Sequence, residues 1–453
     1  MVAKSYSFQE SVDYLLSLGN EVSAMKLGLE NIRKLLAALG DPQNNYLKVQ
    51  VAGTNGKGSV CAFLDSICRE AAIKTGLYTS PHLISITERV KIDGEDVSET
   101  DFARLASIVR NAAEELIRKD ELEYTPTFFE QVTAIALLAF AEAKVDLAIL
   151  ETGLGGRLDA TTAADAEIAA ITRIDYDHQQ YLGESIEEIA AEKAAIIRND
   201  FQEVVIGSQS EEALKILLDR CKETIVGKEI LSPDDPHMWR LCPTSDSPEL
   251  VLNTTLAIYD DVSLGLAGRH QIENAQTALM IAFVLLYRWG FDITDDHLLD
   301  GLENARHPGR LEWLNHEGNR ILLDGAHNPG GAKALSDHLS LAYSDSKITL
   351  VFGMMEDKNV EAVAELLFPQ MENIILTRPN NPRAVDPEEL AVIAQEIVGP
   401  SKVFVVPDVA DAIDSALQIT SGYPAPQFSF TCVSGSLYLV GEVKNILSRG
   451  IAL

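Results

Sequence analysis

The chain has 453 residues, 46% hydrophobic and 23% charged, a globular mix with material for two or three cores. Its formal net charge of −31 excludes non-specific binding to nucleic acid or to an anionic membrane surface, both of which need positive potential. An anionic substrate must therefore meet cations gathered locally at its site.

The five cysteines, Cys61, Cys68, Cys221, Cys242 and Cys432, follow no CxxC spacing and read as reduced thiols of a cytoplasmic protein. The N-terminal stretch lacks the long apolar core of a secretory signal, and the apolar run Val132–Phe140 is too short to span a bilayer.

Short apolar runs alternate with helical patterns along most of the chain, which predicts an α/β protein with mainly parallel sheets. Tyr46–Val51 reads as a strand and Val60–Ala72 as a helix, joined by Gly53-Thr54-Asn55-Gly56-Lys57-Gly58-Ser59. A glycine-rich turn from strand to helix lets backbone N–H groups face a phosphate, with Lys57 adding a full charge and Ser59 a hydroxyl. Strict Walker A spacing asks for glycine where Val51 stands and for Ser or Thr where Gly58 stands, so the loop is a variant. The bland alternative is a glycine turn without a ligand.

Thr75–Tyr78 is the next strand, followed by Thr79-Ser80-Pro81-His82-Leu83. Thr127 and Glu130 form a capping box that opens the apolar helix running to Ala143. The strand Val145–Leu150 ends on Glu151, which opens Thr152-Gly153-Leu154-Gly155-Gly156-Arg157-Leu158-Asp159, and the strand Ile168–Thr172 precedes Asp177-His178. Ligands gather at the carboxyl ends of open parallel sheets, so these three segments are expected to converge above the phosphate loop. A carboxylate ending a buried strand demands a partner, which makes Glu151 the clearest magnesium candidate. His178 alone is more often a packed or solvated loop histidine.

Ser185 and Glu188 make a capping box for the helix Ser185–Ile197, whose apolar stripe is Ile186, Ile189, Ala190, Ile196 and Ile197. Lys193 falls on that stripe. Burial favours its free amine, which can add carbon dioxide to give an anionic carbamate. The plain alternative is a lysine that snorkels to water.

The Pro- and Asp-rich stretch Pro233–Asp261 predicts a peripheral β insertion. After Arg306-His307-Pro308-Gly309-Arg310 come Arg320–Leu323, Ile348–Phe352, Ile374–Thr377, Val403–Val406 and Phe428–Val433, read as a second unit of about five strands. The expected division is a first domain over 1–305, a linker over 306–311 and a second domain over 312–453. Asp324-Gly325-Ala326-His327-Asn328-Pro329 ends the second domain's first expected strand, with Asn328 and Pro329 suited to start a helix. That leaves Asp324 and His327 without a structural role.

The loop Gly53–Ser59 resembles the nucleotide loop of the Mur ligase superfamily, and its Gly-Ser ending resembles the folylpolyglutamate synthase/dihydrofolate synthase branch. Further motifs of that branch follow in order: Ser80-Pro81-His82-Leu83 with Glu88-Arg89-Val90, Gly153–Thr161, Asp177-His178, Glu192-Lys193-Ala194, His270–Ala275, Pro308–Glu312 and Asp324–Pro329. Thr162 stands where the family usually has Asn, and Ala195 where it has Gly. The resemblance implies a P-loop-type, mainly parallel sheet domain followed by a smaller Rossmann-like α/β domain. It implies ATP held by Gly53, Thr54, Asn55, Gly56, Lys57, Gly58, Ser59, Asn274, Arg310 and Asp324. It implies magnesium at two sites, with Ser80, Glu151, His178 and a carbamylated Lys193 as ligands. Lys57, Lys193 and His327 would serve catalysis, and Thr127, Phe129, Glu130, Leu158, Asp159 and Ala160 would line a folate pocket.

The activity so implied is ATP-dependent addition of L-glutamate to a folate or dihydropteroate through an acyl phosphate, by a cytoplasmic monomer. Arg310, on the linker, would reach phosphates only on domain closure. Two other readings stand beside it. One is a peptidoglycan-type Mur ligase, against which the pterin-like turns and the Gly-Lys-Gly-Ser loop argue. The other is a P-loop binding module without ligase chemistry, against which Asp324 and His327 argue.

Overall fold

The structure, a computed structural model, describes residues 4–19, 28–122, 124–225, 230–232, 240–243, 250–423 and 428–449. They form two compact units. The first comprises Met1–Ile174, Ser185–Gly265 and Glu273–Arg306; the second takes Asp175–Glu184, Leu266–Ile272 and His307–Leu453. Two short segments that precede residue 305 in sequence thus cluster with the second unit.

The first unit is built on seven strands: β1 Leu47–Ala52, β2 Thr75–Tyr78, β3 Val90–Ile92, β4 Glu95–Asp96, β5 Leu147–Glu151, β6 Ile168–Ile171 and β7 Glu203–Ile206. Their order is β4-β3-β2-β5-β1-β6-β7, parallel except for β3 and β4. β5 and β6 are near-continuous apolar runs, as suits strands covered by helices on both faces, whereas β1 carries the buried Lys48 and Gln50. The chain leaves β1, crosses β5 to reach β2, and later returns to the opposite side of β1 as β6. This reversal opens a crevice at the carboxyl end of β1, between β5 and β6.

The helix Phe128–Ala143 is buried nearly all round, and its Val132, Ile135, Leu137 and Phe140 join Tyr78, Ala148 and Leu150 in the main core. Each such large side chain contributes roughly 1.5–3 kcal/mol by leaving water. The helix Lys57–Glu70 is buried from Gly58 to Cys68, which fixes the loop preceding it.

Of the predicted β insertion, residues 233–239 and 244–249 lie outside the described residues. Around them β8 Arg240–Pro243, β9 Leu250–Asn253 and β10 Ile258–Tyr259 pair antiparallel in the order β10-β9-β8.

The second unit holds β11 Glu312–His316, β12 Asn319–Leu323, β13 Lys347–Phe352, β14 Asn373–Leu376, β15 Val403–Val405 and β16 Ser429–Ser434, in the order β11-β12-β16-β13-β14-β15. Its first strand is β11, not the segment around Arg320–Leu323. The polar, half-exposed Glu-Trp-Leu-Asn-His run pairs antiparallel with β12 through a two-residue turn, Glu317-Gly318, with φ of 51° and 82°. Positive φ at both turn residues gives the twist that suits a tight hairpin. The remaining strands are parallel and end level, Leu323 opposite Val433 and Phe352 opposite Ser434 and Leu376. The loops after β12, β13 and β14 therefore emerge from one edge.

Candidate functional site

The loop after β1 is held by its neighbours on both sides. The N–H groups of Thr54 and Asn55 donate to Arg173 O at 2.9 and 3.1 Å, and Thr172 Oγ1 donates to Asn55 O at 2.8 Å. Gly53 has φ +155° and Gly56 φ +88°. A Cβ on Gly53 would lie 1.8 Å from Thr172 Oγ1, and one on Gly56 2.1 Å from Asn274 Oδ1, so neither position admits a side chain. Gly56 then caps the helix Lys57–Glu70, whose first N–H groups, from Lys57, Gly58 and Ser59, have no intrahelical acceptor. The first half of the loop is pinned to β6, and the second half presents the anion-attracting helix end. Lys57 Nζ folds back onto Gly53 O at 3.1 Å and Thr54 O at 3.2 Å.

Strand register brings a carboxylate beside this loop, because Glu151 at the end of β5 stands opposite Val51 of β1. Glu151 is 5% exposed, and its Oε2 accepts from Ser80 N at 3.1 Å. Ser80 follows β2, whose Tyr78 stands opposite Leu150. The same segment carries His82, which accepts from Arg89 Nε at 2.8 Å. Burial, with Arg89 beside it, pulls His82 down to about 3.

Residues 153–162 fold around Asp159. Its Oδ2 accepts from Gly153 N and Leu154 N at 2.8 and 3.0 Å, and its Oδ1 from Thr161 N at 3.0 Å and Thr161 Oγ1 at 2.5 Å. Burial nonetheless raises the Asp159 carboxyl above its ordinary value. Leu158 is half-buried and Ala160 buried. Phe129 packs its ring over Gly153, 2.6 Å from where a Cβ would stand, and lies 6.0 Å from the Tyr78 ring. Thr127 and Glu130 form the predicted capping box, with Thr127 N donating to Glu130 Oε2 at 2.7 Å.

Lys193 is 4% exposed, so the predicted stripe position is a buried one, and Nζ donates to Gly53 O at 2.8 Å. Two lysines, Lys57 and Lys193, thus share one loop carbonyl. Asn274, 8% exposed, faces the same loop at Gly56.

The second unit holds the other predicted residues. Asp324 accepts from Leu311 N and Ala326 N, both at 2.9 Å; burial raises its carboxyl, and Arg310 opposes the rise. Arg310 Nη1 lies 2.8 Å from where a Cβ on Gly325 would stand. His327 Nδ1 lies 2.7 Å from Gly325 O, which assigns it the proton, and Nε2 lies 3.6 Å from Asp177 Oδ2. Asn328 caps its helix as expected, accepting from Gly331 N at 2.8 Å, and also donates to Asp177 Oδ2 at 3.1 Å.

His178 sits in this unit, at φ 50°, and its close partners are residues that sequence reasoning missed. Lys358, with a side chain 8% exposed, donates to Asp177 Oδ1 at 2.6 Å and to His178 Nε2 at 3.0 Å. Asp357 Oδ2 lies 3.7 Å from His178 Nδ1, and Asp357 Oδ1 accepts from Arg383 at 3.0 Å. Burial, reinforced by the Lys358 cation, pulls His178 down to about 3. Burial by itself would raise Asp177, but His327, Lys358 and His178 outweigh it and hold the carboxyl well below its ordinary range. The sequence signal was weak, because Asp357 and Lys358 stand several residues past the end of β13 and their partners lie far off along the chain.

Among the described residues, no three of His, Cys, Asp and Glu gather as a metal cage. The hard oxygens of Glu151 and Ser80 beside a phosphate-type loop fit magnesium, which takes few protein ligands and completes its shell with phosphate and water. No helix among the described residues is long and apolar enough to cross a membrane.

Residues 51–282 match the Mur ligase middle domain, and residues 309–425 match the Mur ligase glutamate ligase domain. A dihydrofolate synthase/folylpolyglutamate synthase of Mycobacterium tuberculosis is 32% identical over 97% of this chain and 93% of its own. A Mycobacterium tuberculosis folylpolyglutamate synthase complexed with ADP superposes with a TM-score of 0.88 at 30% identity, covering 98% of both chains. A Yersinia pestis bifunctional folylpolyglutamate synthase/dihydrofolate synthase complexed with AMPPNP and Mn ion gives 0.81 at 27% identity, over 98% of both. A probable bifunctional folylpolyglutamate synthase/dihydropteroate synthase of Haloferax volcanii is 33% identical over 98% of this chain, which spans only 51% of that longer relative. The chain therefore belongs to the Mur ligase family, and within it to the folylpolyglutamate synthase/dihydrofolate synthase group of ATP-dependent ligases.

Proposed function

We propose that this chain joins L-glutamate to a folate, dihydropteroate or tetrahydrofolate, by activating the folate carboxylate with ATP. The observation that carries this reading is the register of β1, β5 and β2, which sets Glu151 and Ser80 beside a loop bearing Lys57 at a helix N-terminus.

A free carboxylate resists an amine because it is anionic and has no good leaving group. Transfer of the γ-phosphoryl group forms an oxygen–phosphorus bond to the carboxylate and releases ADP. The free amine of glutamate attacks the acyl carbon, and inorganic phosphate departs as the amide forms. Backbone N–H groups of residues 57–59 orient the phosphates, and Lys57, released from Gly53 and Thr54, neutralises them. Asn274, Arg310 and Asp324 are assigned to the nucleotide and His327 to the phosphates, by motif. Gly53, Thr54, Asn55 and Gly56 shape the loop.

Magnesium, when bound, would supply charge neutralisation between the anionic reactants. We assign Ser80 and Glu151 to it, with Lys193 as a carbamate and the neutral imidazole of His178 as further ligands, giving two sites. The burial of Lys193 supports the modification. Folate is assigned to Thr127, Phe129, Glu130, Leu158, Asp159 and Ala160, supported by the exposed share of the Phe129 ring over the Gly153 turn. A cytosolic location is the accompanying assignment, supported by the free, buried Cys61, Cys68, Cys221 and Cys432, and a monomer is assigned alongside it.

The test is product identification by mass after incubation with ATP, magnesium and glutamate. Dihydropteroate or tetrahydrofolate should each be tried, beside a UDP-sugar peptide. A folate product heavier by one glutamyl residue supports the reading. Product from the UDP-sugar peptide alone, or ATP binding with no acceptor-dependent ADP release, overturns it.

A further inference from the structure

We infer that Gln50 is a positioning residue for folate, a role that rests on the ligase reading above. Gln50 is 1% exposed in β1, three residues before the phosphate loop begins at Gly53. An amide so deep in the middle of a sheet is costly unless bonded, and apolar residues of similar size would pack there without it. Gln50, on a strand flanked by the parallel β5 and β6 of this mixed sheet, spends its Nε2 group on two hydroxyls, Thr161 Oγ1 at 2.9 Å and Thr162 Oγ1 at 2.7 Å.

From these hydroxyls two chains of hydrogen bonds lead outward. Thr162 Oγ1 donates to Gly156 O at 2.7 Å. Gly156 lies so close to the helix Ile186–Ala194 that a Cβ would come within 2.9 Å of Glu192 O and Lys193 O, and Arg157 N donates to Glu192 O at 3.0 Å. Thr161 Oγ1 donates to Asp159, whose other oxygen holds the N–H groups of Gly153 and Leu154. One amide on the phosphate-loop strand therefore fixes the turn Gly153–Thr162 and braces the helix that carries Lys193.

Thr162 offers only a short hydroxyl, and Gln50 is long enough to reach it. The two residues act as one unit. Its task is to hold Leu158, Asp159 and Ala160 at a fixed height above β1, so that a folate seated there presents its carboxylate to the loop. A positioning residue of this kind sets the folate KM and leaves the nucleotide contacts alone.

The test uses the full chain as wild type, Gln50→Leu, Thr162→Val and the double variant. Steady-state kinetics are measured with dihydropteroate and, separately, tetrahydrofolate. Each single variant is expected to raise the folate KM about tenfold while the ATP KM changes by less than about threefold. The double variant should be no worse than the worse single one, because both changes cut the same link. Hydrogen exchange gives a readout free of turnover: amides of 153–162 should exchange about tenfold faster in both single variants, and those of 53–59 at the wild-type rate. Thr162→Val keeps the inference testable should Gln50→Leu not fold. Unchanged folate KM and unchanged exchange at 153–162 would overturn it, as would an ATP KM rising in step with the folate KM. A wild-type chain that turns over neither folate refutes the ligase reading instead, and the exchange pattern then judges the Gln50 link separately.

Discussion

Two residues carry opposite lessons about charge in a buried place. Lys57 needs no carboxylate partner, because two loop carbonyls hold its ammonium until phosphates arrive. Lys57→Ala should lower kcat by about a thousandfold while the thermal midpoint stays near that of the wild type, since no buried acid is orphaned. A Lys57→Ala chain with ordinary turnover would remove the lysine from the chemistry. Lys358 is different. It neutralises Asp177 where both side chains are nearly sealed from water, so Lys358→Met leaves a buried carboxylate with Asn328 and His327 beside it but without its ammonium partner. Removing one partner of such a pair costs about 3–5 kcal/mol, and denaturant titration should show a loss of that size. Glu151 and Lys57 were legible in the sequence because each stands at a strand end in a run of small residues. Lys358 was not, because its partner Asp177 lies far off along the chain and only the fold joins them.

Among the elements, the parallel strands were readable almost to the residue. Leu147–Glu151 and Ile168–Ile171 are near-continuous apolar runs with no rival period. The antiparallel edge strands were not. β3–β4 turns through Asp93-Gly94 with φ of 53° and 84°, and β11–β12 through Glu317-Gly318. Both turns put a small or acidic residue before glycine, a hairpin signal, yet their strands are too short and polar to announce themselves. The phosphate loop is the element whose geometry is most exacting. Gly56→Ala adds a Cβ 2.1 Å from Asn274 Oδ1 at a positive φ. Isolated left-handed strain costs about 1–2 kcal/mol, which the buried helix behind the loop can absorb. The displaced Asn274 and loop should raise the ATP KM at least about tenfold, measurable by initial rates. An unchanged KM would show that the cradle is looser than its packing indicates.

For the whole molecule, the half-buried imidazoles of His82, His178 and His270 set the response to pH. His178 and His82 are pulled to about 3 and His270, by burial and Arg310, to about 4. The unfolded chain protonates each near pH ~6.5, while the folded chain keeps them neutral. Their folded values are depressed, so their contribution is complete above that pH and is lost as pH falls toward 4 and then 3. Each group costs about 1.4 kcal/mol per pH unit within that window. Urea midpoints should fall steadily from about pH 7 to about pH 5; a flat profile would mean that the imidazoles are charged in the folded chain.

The formal charge of −31 also explains why the cations stand where they do. Lys57 and Lys193 meet at one loop carbonyl, and Lys358 and Arg383 are held by Asp177 and Asp357. Reading the sequence located most of these groups but could not give their partners, since partners follow from register and topology.

The central claim is that phosphate from ATP is placed on the folate carboxylate before glutamate arrives. It is tested most directly by supplying a folate whose reacting carboxylate carries heavy oxygen, with ATP, magnesium and glutamate, and weighing the phosphate released. One heavy oxygen should appear in that phosphate for each amide formed. Phosphate free of label, alongside normal amide product, would contradict an acyl phosphate and with it the mechanism proposed for this chain.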